Sequence, residues 1–160
     1  MKASNLNIPL LLVFSATAFC QAPASPGIVV KLGPVNTVTA KAGGTTKITL
    51  PILVDQGFHV NSDKPTDKYL IPLRLTWNAG ALESKDVVFP KPETAKLPFS
   101  EKPVSIFSGS FEIVTQFKVP REAPPGPVTV LGKLRYQACN DHECLIPRTL
   151  DVIIPVEISK

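Results

Sequence analysis

Alternation of apolar and polar residues is the main pattern along the chain. In the clearest run, residues 111–119, one set of side chains is Phe111, Ile113, Thr115, Phe117 and Val119. The other set is mostly polar: Glu112, Val114, Gln116 and Lys118. Successive side chains of a strand point to opposite faces, so this run predicts a strand with one buried face. Further strands are predicted over residues 48–54, 73–77, 128–136 and 150–158.

Turn signals separate these runs, notably at residues 54–57 and 122–126. The 17 prolines and 9 glycines argue against long helices, and no stretch shows a sustained helical period. Several short strands with turns between them predict an all-β fold, an antiparallel two-sheet sandwich. The segment 89–102 contains three prolines, which lack a backbone donor, so it cannot form a central strand and we expect a surface loop.

The N-terminus has the features of an export signal. Lys2 precedes a short apolar core at residues 8–14, and Ala16-Thr17-Ala18 forms an A-x-A cleavage site. This apolar core is shorter than the roughly 20 residues that a membrane-spanning helix needs. We therefore predict a signal peptide over residues 1–18 with cleavage between 18 and 22, a flexible lead-in over 19–27, and one domain over 28–160.

These features predict a periplasmic or secreted protein without stable membrane insertion. A lipid anchor on Cys20 is disfavoured, because lipid attachment requires a small preceding residue and Phe19 is bulky. The net charge is +4 and the basic residues are scattered, so no nucleic-acid partner is expected. No Ser-His-Asp pattern, phosphate loop or carboxylate pair indicates hydrolytic or nucleotide chemistry.

The main chemical signal is the pair Cys139 and Cys144, which four polar residues separate between two strand regions. If those four residues form a hairpin loop, the cysteines face one another at its base. Facing residues of a non-hydrogen-bonded antiparallel pair have α-carbons about 4.5 Å apart, and a disulfide requires roughly 4.4–6.8 Å. The exported compartment also permits such a bridge.

A bridge at this place is either a structural staple or an exchangeable redox disulfide. Staples of a sandwich normally join its two sheets, and a loop of a few residues gains the least stability from closure. We expect both sulfurs near a surface tip, where a partner protein can reach them. The pattern favours exchange. The alternative is a non-catalytic binding or assembly module with a structural disulfide.

The loop side chains give no single direction for the cysteine pKa. His142, if protonated, would favour a thiolate, whereas Asp141 and Glu143 would oppose it, so these three are candidate pKa modulators. A less favoured alternative is a copper or zinc site formed by Cys139, His142, Cys144 and His59. The spacing matches no common zinc pattern, so we expect no metal and no cofactor. For His59 we expect a partly buried position at a strand end.

The residues around the cysteines resemble a known family. The segment Tyr136-Gln137-Ala138-Cys139 with Cys144 and Pro147, together with the stretches 57–62 and 68–72, resembles the N-terminal periplasmic domain of the thiol:disulfide interchange protein DsbD. The resemblance covers essentially all of the chain after the signal. It implies an immunoglobulin-like sandwich that acts as a thiol:disulfide oxidoreductase of the protein-disulfide reductase type.

The resemblance also implies roles for individual residues. Cys139 and Cys144 would be the redox pair, with Cys144 forming the mixed disulfide and Cys139 resolving it. The family shields its disulfide with an aromatic cap, for which Phe99 is the candidate, and Tyr136 is expected to pack beside the cysteines.

The implied partners are a thioredoxin-like redox protein or membrane electron carrier, and a periplasmic disulfide isomerase or cytochrome c maturation protein. Full-length DsbD continues into a transmembrane domain and a thioredoxin-like domain, and the 160 residues here contain neither. The expectation is a stand-alone version served by separate proteins, or a fold kept for another use.

Overall fold

The computed structural model describes residues 27–97 and 100–160. The predicted signal peptide and nearly all of the predicted lead-in lie outside this range. Within it the chain forms twelve strands and no helix, and hence no helix able to span a membrane. The strands are β1 (Val30–Leu32), β2 (Val38–Lys41), β3 (Thr45–Val54), β4 (His59–Asn61), β5 (Arg74–Asn78), β6 (Glu83–Val88), β7 (Glu93–Ala95), β8 (Val104–Ser108), β9 (Ser110–Lys118), β10 (Gly126–Tyr136), β11 (Ala138–Cys139) and β12 (Arg148–Ser159).

These strands form three four-stranded sheets. The first has the order β1-β3-β9-β6 and the second β2-β12-β10-β5, and the two pack together around the main core. The third has the order β11-β4-β8-β7. Neighbouring strands are antiparallel except β2 and β12, which are parallel. The predicted immunoglobulin-like β-sandwich is confirmed, but the two-sheet prediction is incomplete because a third sheet is present.

The alternation of the sequence becomes the core of the sandwich. On β3 the buried set is Ile48, Leu50, Ile52 and Val54. On β12 it is Val152, Ile154, Val156 and Ile158. Both sets belong to one continuous apolar cluster. The residues between them, polar or not, lie on the other face and are exposed or partly exposed, as expected for sheets with one covered face.

Trp77 joins the two sheets of the sandwich. Its ring packs edge-on against Phe117 with centroids 5.2 Å apart, and its indole nitrogen donates a hydrogen bond of 3.0 Å to the hydroxyl of Thr115. Thr115 is fully buried, so this bond satisfies the polar atom that the strand pattern placed in the core. Gly132 lies opposite Trp77, where a Cβ atom would be 2.7 Å from the ring. A glycine is therefore required at this position for the indole to fit.

The third sheet grows out of the sandwich. β4 follows β3 after a turn that includes Gly57, whose φ of 81° is readily adopted only by glycine, and β11 follows β10 after one residue. Val60, Ala138 and Phe107 occupy one row across β4, β11 and β8, and all three belong to the main core. The third sheet therefore has one face fixed against the sandwich.

The segment 89–102, for which we expected a surface loop, includes one short strand. β7 pairs with β8 at the edge of the third sheet and has no partner on its other side. This edge position agrees with the exclusion of a central strand by the prolines. Leu97 packs with Val104 and Ile106 in a second, smaller apolar cluster.

Neighbouring isoleucines of β12 test the assignment of the two faces. Ile154 is 1% exposed and Ile153 is 66% exposed. Replacing Ile154 by alanine is expected to lower the free energy of unfolding by about 2–5 kcal/mol, because it leaves a cavity in the core. Replacing Ile153 by alanine is expected to cost less than about 1 kcal/mol. Urea unfolding of both variants measures these losses, and equal losses would contradict the assignment.

Candidate functional site

A hairpin at the end of β11 carries the two cysteines. Cys139 and Cys144 form an antiparallel bridge with α-carbons 4.0 Å apart, and their sulfurs are joined in a disulfide. The flanking backbone bonds run from Asn140 N to Glu143 O (2.9 Å) and from Leu145 N to Ala138 O (2.8 Å). The cysteines thus occupy a non-hydrogen-bonded pair, in which side chains approach most closely. This is the hairpin pairing that the sequence predicted.

Side-chain hydrogen bonds fix the shape of this hairpin. The Asn140 side-chain oxygen accepts bonds of 2.8 Å from the backbone nitrogens of both His142 and Glu143. The Gln137 amide donates a bond of 3.1 Å to the carbonyl of Leu145, just after the second cysteine. The turn is therefore held by its own residues on both sides of the disulfide.

The disulfide is unequal in exposure. Cys139 is 0% exposed, because β4 covers β11 on one side and the main core lies beneath the neighbouring Ala138. Cys144 lies beyond the edge of the sheet and is exposed. The expectation that both sulfurs lie near the surface is wrong for Cys139, since the hairpin is paired to a strand that comes from a distant part of the sequence.

His59 lies directly beside the buried cysteine. It begins β4, opposite Cys139 of β11 on one side and Ser108 of β8 on the other. Its side chain is buried, and its Nε2 atom has no hydrogen-bond partner among residues 27–97 and 100–160. Burial lowers the pKa of His59, and the negative charge of Asp141 opposes this shift only in part. Burial therefore favours the neutral form of this imidazole over the charged form.

The other polar groups on this face of the third sheet are paired. The Ser108 hydroxyl donates to a carboxylate oxygen of Glu93 at 3.0 Å. The Asn61 amide donates to the carbonyl of Ile71 at 3.0 Å. Among the described residues, the Nε2 atom of His59 differs from these groups because it is buried without a hydrogen-bond partner.

His59 lies closer to the site than its sequence context predicts. The sequence indicates only a fourth metal ligand or a partly buried residue at a strand end. All three residues of β4 are buried, so the strand lacks the alternation that marks a sandwich strand. The signal available in the sequence was the stretch 57–62, which contributed to the family resemblance.

The remaining predicted site residues lie in different surroundings. Asp141, His142 and Glu143 are exposed at the hairpin tip. Tyr136 ends β10 inside the main core, where burial raises the pKa of its hydroxyl and the charge of Arg148 partly opposes this shift. The candidate cap Phe99 lies outside the described residues.

The alternative metal site finds no donor cluster in the described part of the chain. Residues 27–97 and 100–160 contain no group of three or more histidine, cysteine, aspartate or glutamate side chains arranged to hold a metal ion. The two sulfurs proposed as ligands are bonded to each other in this structure.

The fold and the site define an immunoglobulin-like β-sandwich module whose disulfide joins two cysteines close in sequence, one of them buried and the other exposed. The family model described as the N-terminal part of the thiol:disulfide interchange protein DsbD matches residues 29–154, and the chain therefore belongs to this family. No curated protein matches the sequence.

Solved structures resemble the fold at low sequence identity. The N-terminal periplasmic domain of ScsB from Proteus mirabilis aligns with a TM-score of 0.50 and 12% identity over 80% of this chain, which spans only 44% of that one. A type I cohesin from Pseudobacteroides cellulosolvens has a TM-score of 0.42 and 14% identity, with 78% of this chain and 89% of that chain covered.

The lowered pKa of His59 predicts a pH dependence of stability. The unfolded chain binds a proton at this histidine below about pH 6.5, whereas the folded chain resists it. Stability is therefore fully present above about pH 6.5 and is lost as the pH falls toward the lower folded-state pKa. Urea unfolding of the oxidised protein between pH 7.5 and 4.5 should show this loss.

Two histidine variants isolate this contribution. In His59→Gln the loss of stability between these pH values should be smaller than in the wild type, because the titrating group is gone. In His142→Gln, which changes the exposed histidine of the tip, the loss should be retained. An unchanged pH profile in His59→Gln would show that His59 does not titrate differently on folding.

Proposed function

We propose that this chain is a periplasmic thiol–disulfide interchange module that relays electrons through Cys139 and Cys144. The observation that carries the proposal is the unequal exposure of the disulfide, with Cys139 buried and Cys144 at the surface. Exchange requires a thiolate to reach one sulfur and to displace the other. Access from solvent selects Cys144 as the attacked residue and leaves Cys139 as the leaving group.

The reaction then has two balanced steps. A thiolate of the reduced donor attacks the sulfur of Cys144, the Cys139–Cys144 bond breaks, and its electron pair leaves on Cys139. The second donor thiolate attacks the mixed disulfide, releasing Cys144 as a thiolate and the donor as a disulfide. The module has gained two electrons. The reverse sequence, started by Cys144 on the disulfide of an acceptor, passes them on.

The position of the disulfide also supports exchange over stapling. It closes a loop with a sequence separation of 5 residues and joins neither sheet of the sandwich to the other. In the chain-entropy account such a short loop contributes only about 2 kcal/mol, whereas a loop of about 100 residues contributes about 4.7 kcal/mol. The main core of the sandwich contains neither cysteine.

The surface next to Cys144 suits contact with a protein partner. Ile146 follows two residues later and is 76% exposed, and the adjoining Pro147 is also exposed. Apolar side chains beside an exchangeable sulfur provide contact area that a small thiol cannot use. The donor that we propose is a thioredoxin-like protein or membrane electron carrier, and the acceptors are a periplasmic disulfide isomerase or a cytochrome c maturation protein. Membership of the DsbD family supports these assignments.

Single-cysteine variants test the roles of the two sulfurs. Reduced Cys139→Ser should form a lasting mixed disulfide with a thioredoxin-like protein whose resolving cysteine is replaced and whose remaining cysteine is activated as a disulfide with thionitrobenzoate. The exposed Cys144 attacks, thionitrobenzoate leaves, and neither protein keeps a second active-site thiol that could resolve the product. Reduced Cys144→Ser should form this adduct at least about tenfold more slowly, since access governs the rate of exchange. Non-reducing gels and mass spectrometry measure both rates. Equal rates would contradict the assignment of Cys144.

The reduction potential separates a relay from a structural bridge. We expect a value above about −300 mV, the level below which structural disulfides of secreted proteins usually lie. Equilibration of the purified chain with dithiothreitol and glutathione mixtures, read by mass after thiol trapping, gives the potential. A lower value would favour the non-catalytic binding or assembly module with a structural disulfide.

A further inference from the structure

The third sheet places His59 beside the cysteine whose thiol a redox cycle must deprotonate. His59 and Cys139 are directly opposite one another in the pairing of β4 with β11. Opposite residues of a ladder point to the same face, with β-carbons about 4.5–5.5 Å apart. The His59 ring is therefore the lateral neighbour of the Cys139 side chain, and both residues are buried from solvent.

In the oxidised state one nitrogen of the His59 imidazole lacks a hydrogen-bond partner among the described residues. The Nε2 atom of His59 is buried and has no hydrogen-bond partner within residues 27–97 and 100–160. A neutral imidazole has one nitrogen that accepts a hydrogen bond and one that donates. The sulfurs of a disulfide carry no proton to offer. Reduction changes this, because Cys139 then becomes a thiol with an S–H donor next to the ring.

Burial, and not the surrounding charges, favours the neutral form of the His59 ring. From the hairpin the charge of Asp141 acts on the ring, and it raises a pKa that burial lowers more strongly. On β8 and β7 the polar groups of this face are Ser108 and Glu93, which are hydrogen-bonded to each other. On β4 itself the Asn61 amide is engaged with Ile71. None of these neighbouring groups therefore donates a hydrogen bond to the Nε2 atom of His59.

We propose that the Nε2 atom of His59 accepts the proton of the Cys139 thiol when that thiol resolves the mixed disulfide on Cys144. The inference rests on the proposed function. Cys139 gives its proton to His59, and the sulfur electron pair forms the new bond to Cys144. The bond between Cys144 and the partner breaks, and its pair leaves as the thiolate of the partner. The charge of Asp141 helps to stabilise the imidazolium while it exists, and burial, which disfavours the imidazolium, drives the return of its proton to water.

Oxidised glutathione is a probe that separates the two chemical steps. The reduced chain first forms a mixed disulfide at Cys144 and then closes the Cys139–Cys144 bridge with release of glutathione. Mass spectrometry of acid-quenched samples follows both species. In His59→Gln the closure step at pH 7 should be slower by roughly 10²-fold, the usual contribution of a general base. The first step should change by less than about threefold, because it occurs on the exposed sulfur.

The pH profile of closure distinguishes a base from a packing residue. In the wild type closure should rise through the pKa of His59 and then flatten. In His59→Gln it should rise about tenfold per pH unit toward the thiol pKa of about 8.5, so that the two curves converge at high pH. A constant ratio between wild type and variant at every pH, or equal rates at pH 7, would overturn the proposal.

A neighbouring substitution and a measurement on the wild type serve as controls. Ser108→Ala alters the other side of His59 without removing a base, and it should slow closure by less than about threefold. If His59→Gln does not fold, nitrogen NMR of the wild-type imidazole tests the proposal, because reduction should shift the Nε2 signal of His59. An unchanged signal would overturn the proposal.

The wild-type chain tests the proposed function separately from the role of His59. If the wild type forms no adduct with glutathione or never closes the Cys139–Cys144 bridge, the proposed function fails.

Discussion

The pairing of β11 with β4 is the interaction on which the site depends. A disulfide across an isolated hairpin would present both of its sulfurs to solvent. Here one edge of the hairpin is hydrogen-bonded to a strand from a distant part of the sequence, and this places Cys139 between β4 and Cys144. The two chemically identical sulfurs thereby become different in access. In the proposed exchange this difference in access assigns attack to Cys144 and leaves Cys139 as the leaving and resolving sulfur.

Stability and reactivity are assigned to different parts of the molecule. The sandwich draws its core from β3, β9, β10 and β12, and the Trp77 contact with Phe117 and Thr115 joins its sheets. The third sheet continues directly from β3 and β10, and the base of the hairpin is fixed to the main core through Ala138 and Leu145, whereas neither cysteine belongs to that core. Because closing so short a loop contributes little to folding, the bond can open while the scaffold that positions its sulfurs persists. A bridge between the two sheets would not have this freedom.

The sequence predicts strands that have an alternating pattern and contacts between residues close in the chain. It does not predict features that depend on pairing between strands distant in the sequence. Alternation along β3, β9 and β12 identified the sandwich strands because each has one buried face. The cysteine hairpin was predictable because its partners are five residues apart. β4 has no alternation, and β11 is two residues long, so neither has a recognisable period. The burial of Cys139 depends on both, and the polar Thr115 makes sense only with Trp77 in place across the sandwich.

Asn61 and His59 lie on the same face of β4 but differ in their hydrogen bonding, and this difference concerns the role of His59. Both are buried polar residues, and Asn61 is explained by its bond to Ile71, which ties the segment between β4 and β5 to the sheet. The Nε2 atom of His59 has no such bond to the described residues, and a buried polar atom without a partner costs about 1–3 kcal/mol. An apolar side chain of similar volume would avoid this cost while packing against the same neighbours. Stability therefore does not account for an imidazole at this position, and the proposed transfer of a proton from Cys139 would.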